Sequence, residues 1–180
     1  MRKKAMVLFL LPVLASCTSK SAFNYELYEH ALDTLLHKKD IEEWSEEKYP
    51  LFSIRGVYMP LEEGENRYSV HLIVDHIKTP LYDVRMIIAE SNHQQDDAHP
   101  CASVGFVSSS PIHLVPNLDD VSNLDTTSYY LGLSFYWTTE MEEMNVRIYF
   151  SHQQEKESER NELFFRFTNF VLKEGTSNGN

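Results

Sequence analysis

The sequence predicts a mainly β protein, an antiparallel sandwich of two sheets preceded by one or two short α-helices. Three observations carry that prediction. Before Pro50 apolar residues recur at spacings of three and four; after Pro50 they recur at every second position; and the alternating segments are separated by clusters of Pro, Gly, Asn and acidic residues. The first period builds a helix with one buried stripe, the second a strand with one buried face.

Asn24 is placed to cap a helix from about residue 25 to 38, on which Tyr28, Ala31, Leu32 and Leu35 form one stripe. A second helix is expected from Asp40, with Glu43 as capping-box partner, to Tyr49, because Pro50 disfavours helical geometry before it. Trp44 is its one strong apolar anchor, and 24–49 together make an N-terminal helical segment. Beyond it Phe52, Ile54 and Tyr58 alternate with Ser53, Arg55 and Val57. After the turn residues Glu62 to Asn66, Tyr68, Val70, Leu72 and Val74 alternate with Ser69, His71, Ile73 and Asp75, and the two runs are expected as a hairpin. Tyr82, Val84, Met86 and Ile88 form the next strand, with Pro80 interrupting the chain before it.

A shorter strand is expected over 102–107 and an irregular crossover over 111–125. Tyr129, Leu131, Leu133, Phe135 and Trp137 then share one face, Met144, Val146, Ile148 and Phe150 the next, and Leu163, Phe165 and Phe167 close the set, with Glu155 to Arg160 as a solvated hairpin tip. Seven strands with one apolar face each need cover, and two facing sheets supply it across a core about 10 Å thick. The sandwich is expected over 50–173, with 174–180 as a flexible tail.

The amino end carries a different signal. Arg2, Lys3 and Lys4 precede the apolar run Ala5 to Ala15, which is shorter than the ~20 residues a spanning helix needs and reads as an export signal over 1–16. Leu14, Ala15, Ser16 and Cys17 resemble the lipobox of bacterial lipoprotein precursors. That resemblance implies cleavage before Cys17 and acylation of its thiol and new amine, with 17–23 as a lipidated tether. Several acyl chains at one site, at about 0.8 kcal/mol per buried methylene, anchor far more firmly than one. The expected address is the bacterial cell envelope, with the membrane as a partner through the lipid on Cys17. Thr18 is not the aspartate associated with inner-membrane retention in one Gram-negative pattern, which favours the outer membrane over the plasma membrane.

Removal of the first sixteen residues takes away three of the sixteen basic residues and none of the 27 acids, leaving 13 against 27 and a formal charge of −14. Such a surface argues against nucleic acid and against spreading on anionic lipid, both of which need clustered Lys and Arg. With Cys17 acylated, Cys101 is a lone thiol, so the fold must hold by burial and sheet hydrogen bonds rather than by a disulfide.

The stretch Tyr68 to Ile88, in which a strand passes through His76, Ile77, Lys78, Thr79 and Pro80 into Leu81, Tyr82, Asp83, Val84 and Arg85, resembles the B and C strands of immunoglobulin-like or fibronectin-like modules of bacterial envelope proteins. The Cys, Trp, Cys spacing of true immunoglobulin domains is absent, which leaves the strand topology open.

Two constellations carry chemistry. His93, Asp96, Asp97, His99 and Cys101 place nitrogen, oxygen and sulfur donors within nine residues, a set suited to zinc; the spacing matches no standard zinc motif, and a solvated turn between strands is the alternative. Tyr130, Gly132, Ser134 and Tyr136 are expected beside Asn145, Arg147 and Tyr149 on paired strands, a platform on which a sugar ring or peptide stacks while Arg147 supplies hydrogen bonds. Half-exposed strand tyrosines, or tyrosines packed beneath the helical segment, are the alternatives. The sequence has no Gly-x-Ser-x-Gly elbow, no His-Glu-x-x-His and no glycine-rich phosphate cradle, so a non-catalytic role without a cofactor is expected. The role expected is that of a lipid-anchored structural or interaction module with an envelope protein partner; the alternative is a lipoprotein that captures a glycan, peptide or metal ion.

Overall fold

In the computed structural model the described residues are 22–62, 66–91, 98–107, 109–118, 128–140, 144–156 and 158–173. Their order is α1 (Tyr25–His37), β1 (Glu42–Glu43), β2 (Ser53–Pro60), β3 (Tyr68–Asp75), β4 (Tyr82–Ser91), β5 (Ala98–Val104), β6 (His113–Leu114), β7 (Tyr129–Tyr130), β8 (Leu133–Thr139), β9 (Val146–Gln153), β10 (Arg160–Phe167) and β11 (Phe170–Leu172). The protein is mainly β with one helix among the described residues.

Helix α1 forms where its stripe predicts it. The Asn24 side chain accepts a hydrogen bond from the Leu27 N–H at 3.1 Å, satisfying one of the free first-turn donors, and Ala31 and Leu35 are buried. The second helix expected over Asp40–Tyr49 does not form. Glu42 and Glu43 instead pair parallel with Phe165 and Arg166 of β10, and the Trp44 N–H donates to the Arg166 carbonyl at 2.8 Å. A helix would put Ile41 and Trp44, three residues apart, on one face. The extended chain sends them to opposite sides, so Ile41 joins the cluster under α1 and Trp44 the main core.

Two larger sheets organise the molecule. One runs β1-β10-β9-β4-β5, the other β11-β2-β3-β8, and β6 and β7 make a small pair. The long strands pair antiparallel, and β2 and β3 form the expected hairpin. The sheets are nevertheless mixed rather than purely antiparallel, because β1 runs parallel to β10, β11 parallel to β2 and β6 parallel to β7. These additions come from the entry and exit segments and a long connection, which reach their neighbours without the tight turn that would force antiparallel pairing.

Both sheets feed one apolar cluster. Phe52, Ile54, Val70, Leu72, Val74, Phe135 and Trp137 of the four-stranded side meet Val84, Met86, Ile88, Ile148, Phe150, Phe165 and Phe167 of the five-stranded side. The Trp137 indole N–H crosses between the sheets to the Glu90 carboxylate at 2.6 Å, which satisfies a polar group that burial would otherwise penalise. A second cluster lies on the far side of the five-stranded sheet, where Ala31, Leu35 and Ile41 pack on Ile87, Ala89, Phe106 and Tyr149.

The expected neighbour relation between the strands of 129–137 and 144–150 is overturned. Strand β8 pairs with β3, whereas β9 lies between β10 and β4 in the other sheet. Both carry an inward apolar stripe, and the stripes oppose each other across the core, with Met144 and Asn145 buried where the chain changes sheets. No described helix is long and apolar enough to cross a membrane.

Candidate functional site

The two large sheets differ on their outer faces. On the five-stranded sheet α1 covers Ile87, Ala89 and Tyr149. On the four-stranded sheet the register aligns Val171, Val57, His71 and Tyr136 across four strands, and Arg55, Ile73 and Ser134 across three. Val171 and Tyr136 are 59% and 57% exposed, while Val57, Met59, His71 and Ile73 are half-buried by one another and by their neighbours. Tyr136 leans edge-on against His71, with ring centres 4.8 Å apart. At one end of this face Asp75 binds Arg55 and takes a 2.7 Å contact from the His76 ring. Partial burial works to raise the Asp75 pKa, but the hydrogen bonds from His76 and Arg55 outweigh it and hold the carboxyl below its ordinary value. The result is an apolar strip with an aromatic edge and a charged margin, on which no described element packs.

The tyrosine platform expected from the sequence does not assemble. Tyr136 belongs to the open face and Tyr130 is exposed on β7, but Arg147 and Tyr149 point from β9 to the helix side of the other sheet. Arg147 donates to the Leu36 carbonyl at 2.8 Å, a cation at the carboxyl end of α1 where the helix dipole favours it. Tyr149 is 1% exposed, its hydroxyl bonds Glu162 at 2.8 Å, and burial pushes it up to about 12. The pair that looked like a sugar stack is therefore the seat of the helix.

Of the metal-donor set, His93, Asp96 and Asp97 lie outside the described residues, as does the lipidation site Cys17. His99 stands opposite Glu90 in the β4–β5 ladder. Cys101 is half-buried, with its thiol against the Ile88 carbonyl at 3.4 Å, and burial first and Glu90 second push its pKa up to about 12. A zinc ligand must be a thiolate, so a metal there would have to overcome that cost. No group of three or more metal-binding side chains is found among the described residues.

A charged knot ties β4, β9 and β10 together. Asp83, in the left-handed region at φ 43°, receives Arg85 at 2.8 Å and Arg160, while Arg160 also donates to the Asp83 carbonyl at 2.8 Å and to Ser151 at 3.0 Å. The Asp83 N–H donates to His113 Nδ1 at 3.0 Å. Burial first and Arg160 second lower the Arg85 pKa against the opposing pull of Asp83, and the contacts on Asp83 hold its left-handed backbone beside the irregularity in the β4–β9 ladder.

Sequence reading missed His152. It ends the inward stripe Val146, Ile148, Phe150, and a polar residue on the last core-facing position of an apolar strand was the signal available. It is 1% exposed, its Nδ1 has no hydrogen-bond partner, and burial lowers its pKa. His152 lines a cavity of about 150 Å³ between the segment 48–52 and the β9–β10 hairpin. A wider trough of about 430 Å³ shares Leu51 and Gln154 with it and continues to Pro80 and Tyr82.

No protein-family model matches the chain, and no curated protein matches it in sequence.

Proposed function

We propose that this chain is a lipid-anchored protein of the bacterial cell envelope, held through acylated Cys17, that acts as a non-catalytic interaction module of immunoglobulin-like or fibronectin-like type. The address rests on the leader, where a cationic start, a short apolar run and the Leu14 to Cys17 tetrad stand together. The strand order supports the module: β2-β3-β8 on one side and β10-β9-β4-β5 on the other have the connectivity of a Greek-key sandwich, in which consecutive hairpins divide between facing sheets. Sheets of this kind serve as rigid platforms, and their function is set by the surface grafted on them.

The observation that carries the interaction reading is the asymmetry of the outer faces. An apolar strip of Val57, Met59, Ile73, Tyr136 and Val171 stands on a rigid four-stranded sheet, with a charged rim, and that is the anatomy of a protein interface core. The partner is an envelope protein with an apolar patch and basic margin, complementary to a chain carrying 27 acids against 16 basic residues. The outer membrane is the favoured location.

Two measurements test this. Radiolabelled palmitate should enter the native protein and not a Cys17→Ala form; a dark band from the native protein overturns the anchor. A photo-crosslinking residue at Tyr136 should trap one discrete envelope protein in living cells, and Ile73→Lys on the same face should abolish the product. The same label at Glu29, on the exposed side of α1, should not trap it. Equal trapping from both positions, or from neither, removes the interaction reading.

A further inference from the structure

We propose that the end of the domain from which the amino-terminal segment departs seats on a zwitterionic bilayer interface, with Tyr25, Tyr130 and Leu131 in contact with lipid. The inference rests on the acylation of Cys17 proposed above and adds which surface of the domain meets the membrane.

Covalent reach sets the geometry. Phe23 is fixed to the body, since it bridges Val107 and the N–H of Asn24 donates to the Phe106 carbonyl at 2.8 Å. It stands six residues beyond Cys17, so the Cys17 backbone lies within about 20 Å of Phe23 whatever path the chain takes. Val107 follows β5, whose Val104 pairs with Met86 in the first half of β4, so Phe23 belongs to the end where β4 begins. The ten residues of β4 span about 33 Å. The domain therefore cannot stand on its opposite end, which would lift Phe23 out of reach.

Two ways of lying flat fare worse than standing on this end. The outward side of α1 carries Glu26, Glu29 and Asp33, all exposed, so lying on the helix would press acids into the interface. Phe23 packs with the cluster under α1, on the far side of the five-stranded sheet. Lying on the four-stranded sheet would thus put a helix about 10 Å across and two sheets about 10 Å apart between Phe23 and the bilayer, which exhausts the covalent reach.

Exposed apolar side chains gather at the same end. Tyr25 is 68% exposed and stands edge-on to Phe23, with ring centres 4.7 Å apart. Leu81, just before β4, bridges Leu114, which pairs with Tyr130; Tyr130 and Leu131 therefore reach this end, 44% and 53% exposed. Tyrosine suits the boundary, with its ring toward acyl chains and its hydroxyl among headgroups. The excess of 27 acids over 16 basic residues disfavours anionic lipid, so the surface that fits is zwitterionic. In this posture the long strands rise from the membrane, and the open face of the four-stranded sheet looks sideways toward its partner rather than into lipid.

The test reconstitutes the native acylated protein in phosphatidylcholine vesicles, with a fluorescent amino acid at Tyr25, Leu131, Leu61 or Val171, one at a time, and phosphatidylcholine brominated on its acyl chains as quencher. All four positions are exposed, so labelling leaves the core intact. The expected result is flotation with the vesicles, loss of emission at Tyr25 and Leu131, and no loss at Leu61, on the opposite end, or at Val171, on the open face. Flotation without quenching at Tyr25 or Leu131, or with equal quenching at Leu61 or Val171, overturns the posture and leaves the anchor standing. Native protein that does not float removes the anchor, and this inference with it.

Discussion

The five-stranded and four-stranded sheets are built from the same alternating pattern, yet one wears a helix and the other does not. On β4 the run Met86 to Ala89 is buried on both faces, since Ile87 and Ala89 meet α1 while Met86 and Ile88 meet the core. On β3 only Val70, Leu72 and Val74 are in the main core, and His71 and Ile73 stand on a half-exposed surface. Burial on both faces identifies a strand inside the structural body. The apolar residues left half-exposed on the other sheet are the surface on which the interaction proposed above rests.

The largest way to break that contrast is Leu35→Ala. Leu35 is completely buried between α1 and the sheet, so its truncation should cost about 2–5 kcal/mol in urea unfolding, with the loss of the covered face rather than of the core between the sheets. Gly56→Ala should follow. A Cβ there would stand 2.4 Å from the Phe170 ring and 2.8 Å from that of Phe167, so β11 must move off the edge of the open sheet, at about 1–3 kcal/mol, with a loss of protection of the Val171 and Leu172 amides in hydrogen exchange.

Acidification is expected to act next. Burial leads in lowering both His113 and His152 below the ordinary value of 6.5, with Lys156 adding to it at His113 and Arg160 at His152. Each is neutral in the folded state. The unfolded chain therefore takes up protons first as pH falls, so stability is intact above about 6.5 and declines from there down through the folded values. The melting temperature should drop between pH 7 and 5, and His152→Leu should flatten part of that slope. Asp75, whose pKa lies below 3.8, makes its own contribution at lower pH and leaves this window unaffected. The smallest expected stability effect belongs to Tyr136→Ser on the open face, within about 0.5 kcal/mol of the native protein, while partner crosslinking through that face is lost. A cost as large as that of Leu35→Ala would show that the open face is structural after all.

Most of the long strands were legible because each has an inward stripe, as in Leu72 and Val74 or Ile148 and Phe150; the strand expected over 102–107 forms over Ala98–Val104 instead, and the stripe expected from Tyr129 to Trp137 breaks at the exposed Leu131 between β7 and β8. The helix α1 was legible from Asn24 and the stripe ending at Leu35. The segment 40–49 was misread because Asp40 and Glu43 satisfy a local capping rule, whereas Ile41 and Trp44 serve two separate clusters that only the folded chain presents. The tyrosine platform failed for a related reason. Alternation says that Tyr136 and Tyr149 face away from the core but not which sheet either strand joins. His152 escaped notice because its meaning depends on an unpartnered nitrogen, which a sequence does not display.

What the sequence by itself determined is periodic and local: the leader motif, the acidic balance, one capped helix and the inward faces of the long strands, all consequences of side-chain spacing along a few residues. The tertiary structure alone decided which strands became neighbours, which outer face α1 covered, and where a buried histidine met a cavity. Those outcomes depend on pairing between segments far apart in the chain, and nothing in the spacing of residues within one segment specifies its partner.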